Sequence, residues 1–148
     1  INASGAIGSI SFAPADMTAG AAYTIKCGGL FESNLKYDIT FKVKLGATTI
    51  LDSSALEFET TGGVSQAYAF NIDLVIRATG VSGSVYSIGS MTYLKTLNGK
   101  DSKGTIVEDS TPSIDLSSAL DLDITFQFAT MTPSLSIVNK MLTITKTF

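Results

Sequence analysis

The segment Tyr37–Leu45, with the sequence YDITFKVKL, alternates apolar and polar residues along its whole length. Successive side chains of a β-strand point to opposite faces, so this segment would have one apolar face and one polar face. The segments 68–77 (YAFNIDLVIR) and 120–128 (LDLDITFQF) repeat the same period of two. A helix would spread these apolar residues around its whole circumference, so we predict three β-strands.

Shorter or less regular apolar segments fill the intervals between these three strands. We predict further strands at about 7–13, 21–31, 48–52, 55–60, 84–94, 104–108, 135–138 and 141–147. Segment 84–94 has apolar residues at both odd and even positions, which predicts either burial on both faces or a β-bulge. Glycine-rich sequences predict a bend at Gly28-Gly29, a tight turn at Gly62-Gly63, a hairpin loop at 80–83 and a surface loop at 98–104.

Many short strands without helical periodicity indicate an all-β protein with two antiparallel sheets packed over one core. We predict an antiparallel β-sandwich, a jelly roll of about eight strands, with residues 1–148 forming a single domain. An immunoglobulin-like sandwich is the alternative, although the chain lacks the Cys…Trp…Cys pattern of that fold. On the three main strands, the residues predicted to face inward are Phe41, Phe70, Ile72, Leu74, Ile124 and Phe126.

The composition narrows the range of partners. The net charge is −3 and lysines and arginines do not cluster, so we expect no nucleic acid partner. No segment approaches the roughly 18 apolar residues of a membrane span, and no signal peptide is visible, so we expect no membrane partner. Charged residues make up 16% of the chain, which is low and predicts that sister subunits or a larger assembly cover part of the surface. The chain begins at Ile1, so we expect it to be processed, trimmed or partial, with an N-terminal extension before it missing.

Few residues offer catalytic chemistry. The chain has no histidine, which is the commonest general base and metal ligand, so we predict no catalytic, cofactor-binding or metal-binding residues and no enzymatic activity. Asp121 and Asp123 could form a glycosidase pair, but their spacing on one strand favours a solvated strand face. Cys27 alternates with polar residues, which favours a buried small apolar residue over a reactive thiol.

Calcium and sugar binding are the remaining kinds of site that the sequence could offer. Oxygen ligands for calcium occur at Asn98, Asp101, Glu108 and Asp109, but they match no EF-hand spacing, so we predict no metal. Sugar-binding sandwiches offer exposed aromatic rings. Here the tyrosines lie in alternating segments, where packing accounts for them: Tyr23, Tyr37, Tyr68, Tyr86 and Tyr93. A tyrosine at a sheet edge could still stack on a sugar.

Four segments together resemble one family of β-sandwich domains. They are Phe41–Ser53 (FKVKLGATTILDS), Asp73–Val85 (DLVIRATGVSGSV), Leu120–Phe128 (LDLDITFQF) and Leu142–Phe148 (LTITKTF). In this order they are similar to the jelly-roll-like domains of structural proteins, of capsid decoration or fibre-head type, from tailed bacteriophages and large DNA viruses. The family often has Trp near the end of the third segment, where this chain has Phe128.

The resemblance implies a function rather than an active site. It implies a non-enzymatic viral structural protein on the exterior of the virion, as a capsid decoration, fibre-head or minor capsid domain. It also implies self-association as a homotrimer and contact with other capsid proteins, with host-surface glycans as a further partner class. No catalytic residue is carried over. The alternative is a carbohydrate-binding or adhesin β-sandwich module, which glycan binding would distinguish.

Overall fold

The computed structural model describes residues 4–32, 37–58, 65–94, 101–108, 113–129 and 136–148. These residues contain ten β-strands and no helix. In chain order the strands are β1 (Ser4–Phe12), β2 (Ala22–Glu32), β3 (Tyr37–Leu45), β4 (Thr48–Asp52), β5 (Leu56–Phe58), β6 (Gln66–Ala78), β7 (Ser84–Leu94), β8 (Asp101–Glu108), β9 (Leu120–Phe128) and β10 (Ser136–Lys146).

The strands form two antiparallel sheets that pack against each other. Sheet A has the order β1-β9-β3-β4, with β5 also paired to β3, and sheet B has the order β10-β2-β6-β7-β8. The predicted all-β antiparallel sandwich is confirmed, with ten strands in the described part of the chain instead of about eight. The short strands β4 and β5, predicted at 48–52 and 55–60, pair with different parts of β3.

The topology combines long-range pairing with one local meander. Strands distant in sequence pair between β1 and β9, β9 and β3, and β10 and β2, as the long connections of Greek keys require. Within sheet B, by contrast, β6, β7 and β8 follow one another side by side, whereas a jelly roll of two Greek keys alternates between its sheets more often.

The period of two in the sequence determines which residues enter the core. In sheet A, Phe41 of β3 lies opposite Phe126 of β9, and in sheet B, Ile25 of β2 lies opposite Ile72 of β6. A slip of one residue would turn each of these apolar side chains to solvent, so the alternation fixes the strand register.

Aromatic rings bridge the core between the two sheets. The Phe41 ring of sheet A lies 5.8 Å from the Tyr68 ring and 6.2 Å from the Phe70 ring of sheet B, measured between ring centroids. The predicted inward positions that the structure shows buried are Phe41, Phe70, Ile72, Leu74 and Ile124. These residues form the centre of the sandwich, as predicted.

Phe126 also faces the core, as predicted, but it is not fully buried. Its side chain is half-buried and packs on the margin of the core, with its ring 5.3 Å from the Phe128 ring. Its cross-strand neighbour on β1 is Gly5, which has no side chain to cover it. Phe128, where the resembled family often has Trp, is buried instead.

Two turn predictions were wrong. Gly28 and Gly29 lie inside β2 rather than at a bend, and Gly29 accommodates the close approach of the β10 backbone. Residues 101–104, predicted as part of a surface loop at 98–104, pair with β7 as the first half of β8. The turn predicted at Gly62-Gly63 and residues 98–100 lie outside the described residues.

The hairpin loop predicted at 80–83 is confirmed between β6 and β7. Gly83 donates its backbone N–H to the carbonyl oxygen of Gly80 at 3.1 Å, and Gly80 has a φ of 85°. Strand β7 is buried on one face, and its other face is half-buried at Tyr86 and Ile88 and exposed at Ser90 and Thr92. The bulge in this hairpin lies in β6 between Ile76 and Ala78. The strands predicted at 135–138 and 141–147 are one strand, β10, interrupted by a bulge.

Candidate functional site

Cys27 is a buried free thiol on strand β2 of sheet B. Its thiol donates a long hydrogen bond to Asn139 Oδ1 at 3.4 Å, which links β2 to the bulge of β10. Burial raises the pKa of Cys27 from its ordinary value of 9.0 to about 11, while the hydroxyl of Tyr68 acts in the opposite direction. A thiol that is buried and protonated at neutral pH is a poor nucleophile, so Cys27 serves as a core residue.

Tyr68 is the second polar group in this part of the core. Its hydroxyl is buried and makes no hydrogen bond of ordinary geometry, and its nearest ionisable neighbour is Cys27. Burial first, and then the charge and hydrogen bonding of Cys27, raise the pKa of Tyr68. Both groups are therefore held neutral, which is the form that a buried site favours.

This pair predicts a loss of stability in alkaline solution. The unfolded thiol loses its proton near pH 9, whereas the folded thiol keeps it to about pH 11. The unfolded state then binds fewer protons, so the free energy of unfolding should fall as pH rises above 9, by about 1.4 kcal/mol per pH unit from Cys27. Urea denaturation between pH 7.5 and pH 10.5 measures this slope.

The variant Cys27→Ala is the control for the alkaline prediction. It removes the thiol, so its decline should be shallower and should begin nearer pH 10, where Tyr68 begins to contribute through its raised pKa. An identical decline in Cys27→Ala and in the unmodified chain would contradict the assignment to the thiol.

The tyrosines weighed as sugar-stacking groups lie mostly in the core. Tyr23, Tyr68 and Tyr93 are buried, and Tyr86 is half-buried on the outer face of sheet B. The Tyr23 hydroxyl donates to the backbone oxygen of Asp16. The side chain of Tyr37 lies outside the described residues. Packing accounts for the three buried tyrosines, as the sequence predicted.

The acidic residues considered as reactive or metal-binding groups do not form one cluster in the described part of the chain. Asp121 is exposed and Asp123 half-buried, both on the outer face of sheet A, with Asp123 opposite Lys44 in the register. Asp101 and Glu108 begin and end β8, a separation of roughly 24 Å at the rise of a strand, so they cannot share one calcium ion. Asn98 and Asp109 lie outside the described residues. In the described part of the chain, no three His, Cys, Asp or Glu residues are placed to hold a metal ion.

The outer face of sheet A is polar and carries an ion pair. Lys42 Nζ lies 2.9 Å from Asp52 Oδ2, and both side chains are partly exposed. Thr125 Oγ1 donates to the backbone oxygen of Lys42 at 3.3 Å. This face is the hydrated side that the alternating lysines and aspartates of β3 and β9 predict.

The outer face of sheet B carries an apolar area at its β10–β2–β6 side. We call it the sheet B patch, formed by Leu30, Val138, Met141, Ala67 and Ala69. The side chains of Leu30, Val138 and Met141 are 36%, 44% and 46% exposed. Exposed apolar residues that adjoin one another, rather than scattering singly, are typical of an interaction surface.

The β-bulge of β10 creates this patch. The register shifts between Asn139 and Met141, which leaves Lys140 as the extra residue. Residues three apart in an unbroken strand point to opposite faces, but the bulge puts Val138 and Met141 on the same outer face. Sequence alternation alone therefore could not identify the patch, because it assigns these two residues to opposite faces.

Glycine completes the floor of the patch. Met141 pairs with Gly28 across the strands, and its Cε would lie 3.8 Å from a Cβ placed on Gly28. The Met141 side chain therefore covers the backbone of Gly28, which a larger residue at position 28 would cover with its own side chain. Two exposed charges border the patch along β2, Glu32 beyond Leu30 and Lys26 beyond Gly28.

Comparisons with protein-family models, with curated proteins and with solved structures each find no match to this chain. The described residues include no helix that could span a membrane.

Proposed function

We propose that this chain is a structural domain on the exterior of a virus particle, without enzymatic activity, and that copies of it assemble there as a homotrimer and contact other capsid proteins. The observation that carries the proposal is the contrast between the two outer faces of the sandwich. Sheet A presents the Lys42–Asp52 ion pair to solvent, whereas sheet B presents the exposed side chains of Leu30, Val138 and Met141.

A domain with one apolar and one polar outer face is suited to assembly with neighbouring subunits. Burial of apolar side chains by a neighbour is favourable, whereas ion-paired and hydrated groups lose their water on burial. One face of each copy is therefore suited to contact a neighbour, and the other to face solvent. The resemblance of the four sequence segments to capsid decoration and fibre-head domains supports the viral setting.

The charge of the chain agrees with an exterior position. A net charge of −3 disfavours contact with packaged nucleic acid, whose phosphates attract clustered basic residues. The low charged share of 16% is compatible with a surface that is partly covered in an assembly.

Antibody labelling of intact particles tests the virion location. Gold-labelled antibodies raised against the domain should bind the outside of purified particles, and mass spectrometry of the same particles should contain its peptides. Absence of the peptides from purified particles would contradict the proposal. Binding to a glycan array, together with that absence, would instead support the carbohydrate-binding alternative.

A further inference from the structure

We propose that the sheet B patch is the surface on which a second copy of this chain docks, with Glu32 of one copy against Lys26 of the next. This inference rests on the proposed self-assembly and adds the surface and the orientation of the contact. It follows from three features of the outer face of sheet B: its apolar centre, its two opposite charges and its protected edge.

The apolar centre supplies the burial that association needs. Val138, Leu30 and Ala67 pair side by side across β10, β2 and β6, and Met141 and Ala69 lie in the next row. Burying these exposed side chains against an equivalent set would remove both sets from water at once. A second copy of this chain always carries the same set of apolar side chains.

The two charges select a second copy of this chain over an unrelated partner. Glu32 and Lys26 lie at opposite ends of the patch on the same outer face of β2, and both are exposed. Among the described residues, Lys26 has no carboxylate within ion-pair distance, and the Glu32 carboxylate accepts a hydrogen bond from Ser65 Oγ. A surface with one acidic and one basic end is complementary to itself when copies meet end to opposite end.

The edge of sheet B is protected against strand addition. β10 is an edge strand, and its bulge places the exposed Lys140 in the middle of the strand. Bulges and lysines on edge strands are the usual means by which proteins prevent edge-to-edge pairing. Association at this side of the molecule is therefore directed to the face of the sheet rather than to its edge.

Charge reversal with restoration tests the contact. Sedimentation equilibrium of Glu32→Lys and of Lys26→Glu should each show association weakened by about ten-fold or more, because each reversal sets like charges against each other. The double variant carrying both reversals should regain association to within about three-fold of the unmodified chain, because it re-forms the pair with opposite polarity. Met141→Glu should weaken association as strongly as a single reversal. All of these positions are exposed, and circular dichroism verifies that each variant is folded.

Asp121→Lys is the matched control on the outer face of sheet A, and it should leave association unchanged. Single and double reversals that associate as the unmodified chain does would overturn the docking surface while leaving the virion proposal intact. A double variant as weak as the single variants would overturn the Glu32–Lys26 pairing. A chain that is monomeric at every concentration would overturn both the contact and the homotrimer.

Discussion

Replacing Phe41 with alanine is expected to lower the free energy of unfolding by about 4 kcal/mol, the largest effect of any single substitution considered for this chain. Phe41 is buried, and its ring meets Tyr68 and Phe70 across the sandwich at centroid distances of 5.8 and 6.2 Å. Truncation would leave a cavity beside the Tyr68 and Phe70 rings of sheet B, which the stiff strands cannot close. Urea denaturation measures the loss.

Phe126→Ala is the matched control, because Phe126 is the cross-strand partner of Phe41. Its side chain is half-buried, so its removal should cost roughly half as much. Thr125→Ala, on the opposite face of β9, should cost under about 1 kcal/mol. Equal losses for Phe41→Ala and Phe126→Ala would show that the centre of the core is not where the structure places it.

Replacing Gly29 with alanine should lower the free energy of unfolding by about 3 kcal/mol, at the upper end of the usual range for overpacking. A Cβ on Gly29 would lie 1.9 Å from the backbone oxygen of Val138 and 2.9 Å from its carbonyl carbon. Backbone atoms of a paired strand cannot rotate away as a side chain can, so β10 must move off β2. Equilibrium unfolding gives the size of the loss, and hydrogen exchange should be faster in β10 than in β6.

Gly80→Ala is the control that separates the effect of a steric clash on stability from the effect of backbone strain. Gly80 has a φ of 85° but no atom within 4 Å of an added Cβ, so its replacement should cost about 1–2 kcal/mol from conformation alone. It should leave exchange in β10 unchanged. A Gly29→Ala variant no less stable than Gly80→Ala would contradict the close approach of β10 to β2.

The sequence predicted the strands well because their physical signal is local. Alternation in β3, β6 and β9 records which side of each strand meets the core, and those strands form where they were predicted. Gly28-Gly29 was mistaken for a bend because glycine marks both turns and close backbone approaches. Only the position of β10, which lies more than a hundred residues later in the sequence, shows that these glycines mark a close backbone approach and not a turn.

The candidate site was less predictable than the fold. Cys27 and the tyrosines were assigned to packing from their positions in alternating segments, and Cys27, Tyr23, Tyr68 and Tyr93 are buried. The sheet B patch was not foreseen, because it joins Leu30 to two residues of β10 that a bulge brings to one face. Bulges and pairing between distant strands have no local period, so they leave no signal that alternation can detect.

The central claim is that this domain assembles with copies of itself through its own surface. Light scattering of the unmodified chain at micromolar concentrations tests this claim most directly. The proposal of a homotrimer predicts a mass approaching three times the 15.5 kDa of one chain as concentration rises. A mass of 15.5 kDa at every concentration would contradict it.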